Sequence, residues 1–365
     1  GLNVNLSIED FSCPVFTIQN NGKRLISLDL KTDGGKEVFL KLLEDTDIFC
    51  TNVRLKGLAK MGLDWESLHA KFPRLIMGHG LGYGKKGPEK DAAGFDVTCY
   101  MGRGGVFGTT VNKGDSPMIP TNGYGDYQCS VFLVAGILAA LQGREKTGEG
   151  DYVTCALQHA GIYTLATGMI SAQYGNPYPK SRLEVNNPLN NVFRSKDQKW
   201  VVLCLPEYDR DWPRVMHLIG RDELAEHPDY SCCQTVNDKG LAPEVVKILD
   251  DGFAQFTREE LLKMFSENDM PCEPAQTPTD IYEDQNALIN EYIKPVQYPA
   301  GPRWCPTAPV QFELGETEDL IPGGKLGSAT EDVMKELGYS EDEIKAAEAE
   351  GAVSGPVDLA VLQGK

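Results

Sequence analysis

The sequence has 365 residues, and its 53 Asp and Glu exceed its 35 Lys and Arg to give a formal charge of −18. This excess excludes a general attraction to nucleic acid or to anionic membranes, because both carry negative charge. The proportions of 41% apolar and 24% charged residues exclude a disordered chain, and the length predicts two or three domains. An anionic ligand would therefore need a local cationic site.

Segments that span membranes or bind metal are not predicted. The longest apolar stretch, 129–141, has 13 residues and is too short to cross a bilayer. The ten cysteines contain no CxxC spacing, and the five histidines show no paired spacing. We therefore predict a soluble, cytoplasmic protein with reduced thiols and without a metal site.

The first third of the chain alternates strand-like and helix-like segments. Strands are predicted over 23–30, 47–52 and 74–78, and helices over 36–43, over 55–60 and from Trp65, with Asp64 as its cap. Such alternation favours crossover connections and a mainly parallel sheet, with a mixed α+β domain as the alternative.

Glycine is frequent between 78 and 108, where it permits close approach of a ligand to the backbone. An apolar helix is then predicted to open after 122–126 and to end at Gly143. The Asn- and Pro-rich stretch 174–191 and the stretch 298–302 are predicted linkers. Beyond the first linker a strand is predicted over 200–205, and two capping boxes begin at Thr257 and Ser340.

Asp126 stands between a Gly-Tyr-Gly turn and the apolar helix. One interpretation is an N-cap, whose carboxylate accepts backbone N–H bonds. The other is a carboxylate nucleophile, which becomes competent toward a thioester when it is desolvated and held in line. The local sequence leaves both open.

Several stretches resemble the class III (CaiB/BaiF-type) CoA-transferases in collinear order. Gly125-Asp126 is followed by GILAAL at 136–141 and by REKTGEG at 144–150. Similar stretches run over nearly the whole chain: 26–31, 52–54, 58–63, 73–76, 82–88, 94–96, 325–327, 331–334 and 337–339.

The resemblance implies transfer of CoA from an acyl-CoA to a carboxylic acid, with CoA thioesters as substrates and no prosthetic group. Asp126 would form first a mixed anhydride and then an aspartyl-CoA thioester. The CoA contacts that the resemblance implies are Leu28, Lys31, Asn52, Val53, Arg54, Lys60, Leu81, Gly82, Tyr83 and Gly84. Lys31, Arg54 and Lys60 suit the CoA phosphates on so acidic a protein, although each is otherwise an ordinary surface charge.

The implied fold is α/β, with a Rossmann-like large domain of mainly parallel sheet, a smaller α+β domain and an interlocked homodimer. The corresponding bounds are 1–185 for the large domain, 192–295 for the small domain and 303–365 for a segment that returns to the large one. The family's leading βαβ unit is expected to be absent, because the sequence starts at the segment before Ile26.

Two departures from the family bear on the chemistry. The loop that is glycine-rich in some members reads VNNPLN at 185–190, so water exclusion would fall to this loop or to other residues. Racemases of the superfamily carry a His where this chain has Phe95, which cannot abstract an α-proton. An acyl-CoA α-racemase and a non-catalytic CoA-binding subunit remain the alternatives.

The acceptor is expected to be a 2-hydroxy acid. The stretches 104–106, 171–176 and 205–209 resemble the branch that handles aryllactates or 2-hydroxyisocaproate. Tyr83, Phe95, Tyr100 and Tyr124 are candidates to line an apolar pocket, with plain packing as the alternative.

Overall fold

The computed structural model describes residues 16, 19–298, 301–315 and 320–357. They form two compact units. The first takes in the described residues within 1–104, 120–164 and 282–365, and the second those within 105–119 and 165–281. The domain bounds expected from the sequence stay a prediction. The expected loss of a leading βαβ unit concerns the start of the chain, which lies outside the described residues.

A parallel three-stranded sheet forms the centre of the first unit, as the alternation of strands and helices predicts. Its strands are β2 (Ile48–Thr51), β3 (Ile76–Leu81) and β4 (Tyr152–Ala156), in the order β2-β3-β4. Ile48 pairs with Ile76, and Met77 pairs with Tyr152. All three strands therefore end at the same edge, where ligands bind in open α/β sheets.

Helices connect these strands as crossovers. The short helices Leu55–Met61 and Trp65–Lys71 lead from β2 to β3, and Asp64 caps the second by accepting from the Ser67 N–H at 3.0 Å. The other α-helices of this unit are Asp33–Leu43, Tyr124–Thr147, Leu157–Thr164, Gln285–Ile289, Thr330–Glu336 and Glu341–Ala349, and a π-helix spans Val97–Arg103.

The helix Tyr124–Thr147, called the long helix below, packs closely on the sheet through two glycines. A Cβ on Gly78 of β3 would lie 2.6 Å from Cδ1 of Ile137, and one on Gly136 would lie 2.7 Å from Cγ1 of Val153. The predicted end of this helix at Gly143 is wrong. The helix continues to Gly148, whose φ of 79° is the left-handed conformation that ends helices.

The predicted strand 23–30 is mostly irregular and does not join the parallel sheet. Only Ser27–Leu28 forms a strand, β1, and it pairs antiparallel with β10 (Val353–Ser354). The pairing buries a small cluster that includes Val38, Met334 and Ile344. A partner more than 300 residues away leaves no local signal in the sequence.

The second predicted linker, 298–302, falls in a β-hairpin instead. Strands β8 (Ile293–Tyr298) and β9 (Gly301–Pro306) pair antiparallel, from Ile293 with Pro306 to Tyr298 with Gly301. Residues 299–300 between them lie outside the described part of the chain.

The second unit is an antiparallel sheet with helices around a large apolar core. Strands β5 (Asn190–Arg194), β6 (Trp200–Cys204) and β7 (Cys272–Pro274) lie in that order. Trp212 and Phe253 are fully buried in the core. Its helices are Ala166–Gln173, Tyr208–Leu218, Cys233–Asp238, Ala242–Phe253 and Arg258–Ser266.

Both predicted capping boxes are present. Thr257 Oγ1 accepts from the Glu260 N–H at 3.3 Å, and the Thr257 N–H donates to Glu260 Oε2 at 2.8 Å. Ser340 and Glu343 make the same reciprocal pair at the start of the helix Glu341–Ala349.

The long helix changes the prediction that no segment is long enough to cross a membrane. It has 24 residues, whereas the apolar stretch in the sequence has 13. By length and composition alone, this helix is long and apolar enough to cross a membrane. Such a helix is weak support for a span, since core helices of soluble proteins pass the same test. Val131 and Leu138 are 60% and 59% exposed, so one face of this helix is apolar and open.

Candidate active site

A cavity of about 150 Å³ lies at the carboxyl edge of the parallel sheet. Asn52 follows β2, Leu81 ends β3 and Leu157 follows β4, so each strand end contributes to the wall. The start of the long helix supplies the other side with Asp126. The remaining lining residues are Gly80, Gly82, Gly94, Cys129, Ser130 and Leu133.

Asp126 is not an N-cap, so that interpretation is wrong. Gly123 occupies the capping position, with a φ of 83° that a glycine adopts without strain, and Asp126 is the third residue of the helix. The Asp126 backbone carbonyl accepts from Ser130 Oγ at 2.7 Å, while its carboxylate accepts no hydrogen bond from any described residue. The carboxylate is therefore free to react.

Its surroundings make the Asp126 carboxylate more basic than that of an ordinary aspartate. Asp126 is exposed in this chain, yet neighbouring atoms exclude enough water that burial raises its pKa, and the charge of Asp96 raises that pKa further. A carboxylate with a higher pKa is more basic and donates its electron pair more readily.

The glycine before Asp126 is required by a contact. A Cβ on Gly125 would lie 2.5 Å from both Cβ and Cγ of Tyr100. The Tyr100 ring is buried, and its hydroxyl lies 3.0 Å from Thr164 Oγ1. Tyr100 is thus a packing residue that fixes the start of the long helix, and its proposed place in an apolar pocket wall is wrong.

Asp96 is a second carboxylate beside the cavity. It is 6% exposed and comes two residues after Gly94, which lines the cavity. Its Oδ1 accepts from the Val97 N–H at 2.7 Å. Its Oδ2 is buried and accepts no hydrogen bond from the described residues.

The cavity brings together four of the expected site residues, namely Asn52, Leu81, Gly82 and Asp126. The other expected CoA contacts lie outside its lining. Leu28 and Lys31 are at the end of β1, Val53, Arg54 and Lys60 are exposed in or near the helix Leu55–Met61, and Tyr83 and Gly84 follow β3.

The three expected cations are exposed. Within the described chain, Lys31, Arg54 and Lys60 form no ion pair with an acidic side chain, and Arg54 reaches only the Asp91 carbonyl, at 3.4 Å. These charges are therefore available to phosphate groups. Other cationic side chains do form ion pairs. Arg144, for example, is buried, and its Nη2 lies 2.7 Å from Asp47 Oδ1.

The loop after β2 is held by a buried histidine. His79 Nε2 lies 2.8 Å from the Val53 carbonyl, which only accepts, so this nitrogen carries the proton. His79 Nδ1 then accepts from the Tyr152 hydroxyl at 2.8 Å. Burial lowers the pKa of His79 and raises that of Tyr152 to about 12, so both stay neutral at physiological pH.

We expect this histidine to make stability depend on pH. Below about pH 6.5 the unfolded chain protonates His79 while the folded chain does not, so the free energy of unfolding falls by up to about 1.4 kcal/mol per pH unit. Urea unfolding of wild type and His79→Gln at pH 7.5 and 5.5 measures this. The wild type should lose more stability than the variant, and equal losses would contradict the neutral assignment.

Sequence reasoning missed the remaining residues of the cavity. Cys129, Ser130 and Leu133 lie three, four and seven positions after Asp126, so helical periodicity places them on its face once it is a candidate. Asp96, which lies outside the cavity lining, is part of the stretch 94–96 that resembles the family, but no local pattern predicts its burial, which depends on the packing of the π-helix Val97–Arg103.

The Cys129 thiol of the cavity is protonated. The nine cysteines of the described chain are free, and the Cys129 thiol donates to Cys155 Sγ at 3.3 Å. This hydrogen bond and burial raise the pKa of Cys129, and a protonated thiol is a poor nucleophile. Among the described residues, no group of three His, Cys, Asp or Glu could hold a metal ion.

Comparison with known proteins identifies the family. The model of CoA-transferase family III matches residues 4–328. The cinnamoyl-CoA:phenyllactate CoA-transferase of Clostridium sporogenes is 38% identical over 337 residues, which are 91% of this chain and 82% of that protein. The (R)-2-hydroxy-4-methylpentanoate CoA-transferase of Clostridioides difficile is 36% identical over 91% of this chain and 83% of that protein.

A solved structure agrees with this result. A CAIB/BAIF family protein from Brucella suis superposes with a TM-score of 0.76 at 25% identity, over 88% of this chain and 83% of that one. The fold, with its parallel sheet, is thus that of the CAIB/BAIF structures. The chain belongs to CoA-transferase family III and is a CoA-transferase.

Proposed function

We propose that the protein moves CoA from an acyl-CoA to a 2-hydroxy acid through covalent intermediates on Asp126. The observation that carries the proposal is the unpartnered Asp126 carboxylate in the cavity at the strand ends. The similarity to two transferases named for phenyllactate and for (R)-2-hydroxy-4-methylpentanoate supports the acceptor class.

Each half of the reaction balances without a proton or a metal. An Asp126 oxygen attacks the thioester carbonyl, the C–S bond breaks, and the products are a mixed anhydride and the CoA thiolate. The thiolate attacks the Asp126 carbonyl carbon and expels the donor acid as carboxylate, which leaves an aspartyl-CoA thioester. The acceptor carboxylate repeats these steps in reverse and regenerates Asp126.

The start of the long helix stabilises the negative charge that develops on oxygens during the transfer. Its first intrahelical bond runs from the Tyr127 N–H to the Gly123 carbonyl at 2.9 Å, so the N–H groups before it have no partner in the helix. These donors and the helix dipole favour negative charge on oxygens next to Asp126.

Exposed aromatic rings suit an acceptor with an apolar substituent. Phe95 lies next to the cavity residue Gly94 and is 74% exposed, and Tyr124 and Tyr127 flank Asp126 and are also exposed. Phe95 has no atom that takes up a proton, which disfavours the racemase alternative.

The acceptor proposal is tested by an assay of the purified chain. Cinnamoyl-CoA is the donor, and phenyllactate, 2-hydroxy-4-methylpentanoate, oxalate and acetate are offered as acceptors, with each new thioester quantified by chromatography. We expect the two 2-hydroxy acids to give kcat/KM values at least about 100-fold above those of the others. Preferential transfer to oxalate or acetate would overturn the acceptor class.

The unpaired cations are proposed to hold the CoA phosphates. Replacing Arg54 by Gln should raise the KM for the acyl-CoA by about 10-fold and leave kcat nearly unchanged, because the phosphates are bound equally in ground and transition states. Lys56→Gln, an exposed neighbour with the same loss of charge, is the matched control. Equal KM changes in both variants would indicate a general charge effect instead.

We further propose a cytoplasmic homodimer. The open apolar face of the long helix, with Val131 and Leu138, supports a second copy as its cover, since large apolar patches mark interfaces. The mass of the purified protein by light scattering tests this, and a monomer would contradict it.

A further inference from the structure

Two thiols face each other beside the Asp126 cavity. Cys129 lies on the long helix, one turn after Asp126, and lines the cavity, while Cys155 lies on β4 and is partly buried. Their Sγ atoms are 3.3 Å apart, and Cys129 donates a hydrogen bond to Cys155. Within the described part of the chain this is the one hydrogen bond that joins two thiols. A disulfide between them would require the sulfurs to approach by only about 1.3 Å.

Both cysteines are accessible to a small oxidant. Cys129 forms part of the cavity wall, and Cys155 is partly exposed rather than enclosed in the core. Gly80, another wall residue, pairs with Cys155 from the neighbouring strand and has no side chain to cover it. The cavity of about 150 Å³ has room for a molecule the size of hydrogen peroxide, since a water molecule takes up about 30 Å³ in the liquid.

The hydrogen bond between the thiols prepares one sulfur for oxidation. Because Cys129 donates to it, the pKa of Cys155 is lowered, although burial opposes this effect. The thiolate is the form of cysteine that attacks a peroxide. Cys155 is therefore the sulfur that reacts first, and the Cys129 thiol is in place to react second.

We propose that hydrogen peroxide converts Cys129 and Cys155 to a reversible disulfide, and that this disulfide stops transfer at Asp126. The Cys155 thiolate attacks a peroxide oxygen, the O–O bond breaks, hydroxide leaves and Cys155 becomes a sulfenic acid. The Cys129 sulfur then attacks the Cys155 sulfur, the S–O bond breaks, and the departing hydroxide takes up the Cys129 proton. Two thiols thus lose two electrons, and one peroxide is reduced to two waters.

The disulfide acts on transfer through the position of the long helix. Cys129 and Asp126 are three residues apart and so lie on the same face of the helix start. Drawing Cys129 toward β4 moves the turn that carries Asp126, and a displacement of about 1 Å at a reacting group costs about 100-fold in rate. This loss of rate rests on the proposed role of Asp126, whereas the formation of the disulfide does not.

The disulfide itself is tested on the full chain without any substrate. Reduced protein is treated with increasing hydrogen peroxide, the remaining free thiols are alkylated, and the unreduced digest is analysed by mass spectrometry. We expect a pair of peptides linked through Cys129 and Cys155, which disappears after treatment with dithiothreitol. Oxidised protein in which both of these cysteines are still alkylated would overturn the proposal.

The effect on activity is measured in the same samples, as CoA transfer from cinnamoyl-CoA to phenyllactate. As the linked peptides reach completion, kcat should fall by about 100-fold, and dithiothreitol should restore it. Cys155→Ser cannot form the disulfide and should keep its rate after the same treatment. Cys204→Ser, at an exposed cysteine of β6, is the matched control and should be inactivated as the wild type is.

The outcomes separate this inference from the proposed function. A complete disulfide that leaves kcat within two-fold of that of the reduced protein overturns the effect on transfer. So does a reversible inactivation of Cys155→Ser as large as that of the wild type. Reduced protein that transfers no CoA to phenyllactate overturns the proposed function, and the peptide map still decides whether the disulfide forms.

Discussion

Replacing Asp126 by Asn or Ala is expected to lower kcat for CoA transfer by about 10⁴-fold or more, the loss typical of a removed nucleophile. The amide and the methyl group cannot form an anhydride with the donor acyl group. Steady-state rates with cinnamoyl-CoA and phenyllactate measure this, at enzyme concentrations high enough to detect a residual rate.

The same substitution should not weaken the fold. Burial and the charge of Asp96 raise the pKa of Asp126, so its ionised form is less favourable in the folded than in the unfolded chain at neutral pH. Asp126→Asn removes this cost, and the free energy of unfolding at pH 7 should be equal to or above that of wild type. The gain should disappear as the pH falls through the raised pKa toward 3.8.

Those two results together distinguish a reacting group from a structural one. Asp45→Asn, at an exposed turn, should change neither rate nor stability. An Asp126→Asn protein that is inactive and also strongly destabilised would contradict the proposed role, because its loss of activity would follow from misfolding.

Adding a methyl group at Gly125 should produce the second largest effect. A Cβ there would lie 2.5 Å from the buried Tyr100 side chain, which has no free space to move. The start of the long helix must shift, at a cost of about 1–3 kcal/mol in stability. Because Asp126 is the next residue, kcat should fall by about 100-fold. Steady-state rates and urea unfolding measure the two effects.

Gly143 in the same helix is the matched control. A Cβ at Gly143 meets no atom within 4 Å, so Gly143→Ala should leave the rate unchanged and stabilise the protein by up to about 1 kcal/mol. Equal effects of the two substitutions would contradict the packing explanation for the Gly125-Asp126 motif.

Local patterns in the sequence correctly predicted the structural features that nearby residues determine. The cap at Asp64 and the capping boxes at Thr257 and Ser340 are formed within a few residues, so nearby residues are sufficient to identify them. The alternation of strands and helices predicted the parallel sheet for the same reason, since crossover connections follow from element order.

The predictions that were wrong concern features that depend on tertiary structure. Gly143 does not end the long helix, because a glycine in a helix interior costs only about 1 kcal/mol, and the positive φ that ends it is at Gly148. The N-cap interpretation of Asp126, one of the two that the sequence left open, is wrong because Gly123 occupies the N-cap position with a positive φ. The pairing of β1 with β10 requires contacts between distant segments.

The residues of the candidate site also fall into two groups, those that the sequence identified and those that only the structure reveals. Asp126, Asn52, Leu81 and Gly82 were all identified because the stretches that contain them resemble the family. Asp96 was not selected, since only the structure reveals that its carboxylate is buried with an unsatisfied oxygen.

The most direct test of the central claim is to map the covalent intermediate. The protein is mixed with cinnamoyl-CoA, treated with hydroxylamine, digested and analysed by mass spectrometry. We predict a hydroxamate on Asp126 that appears only with the donor and is absent in Asp126→Asn. A wild-type protein that transfers CoA without any donor-dependent modification of Asp126 would contradict the mechanism.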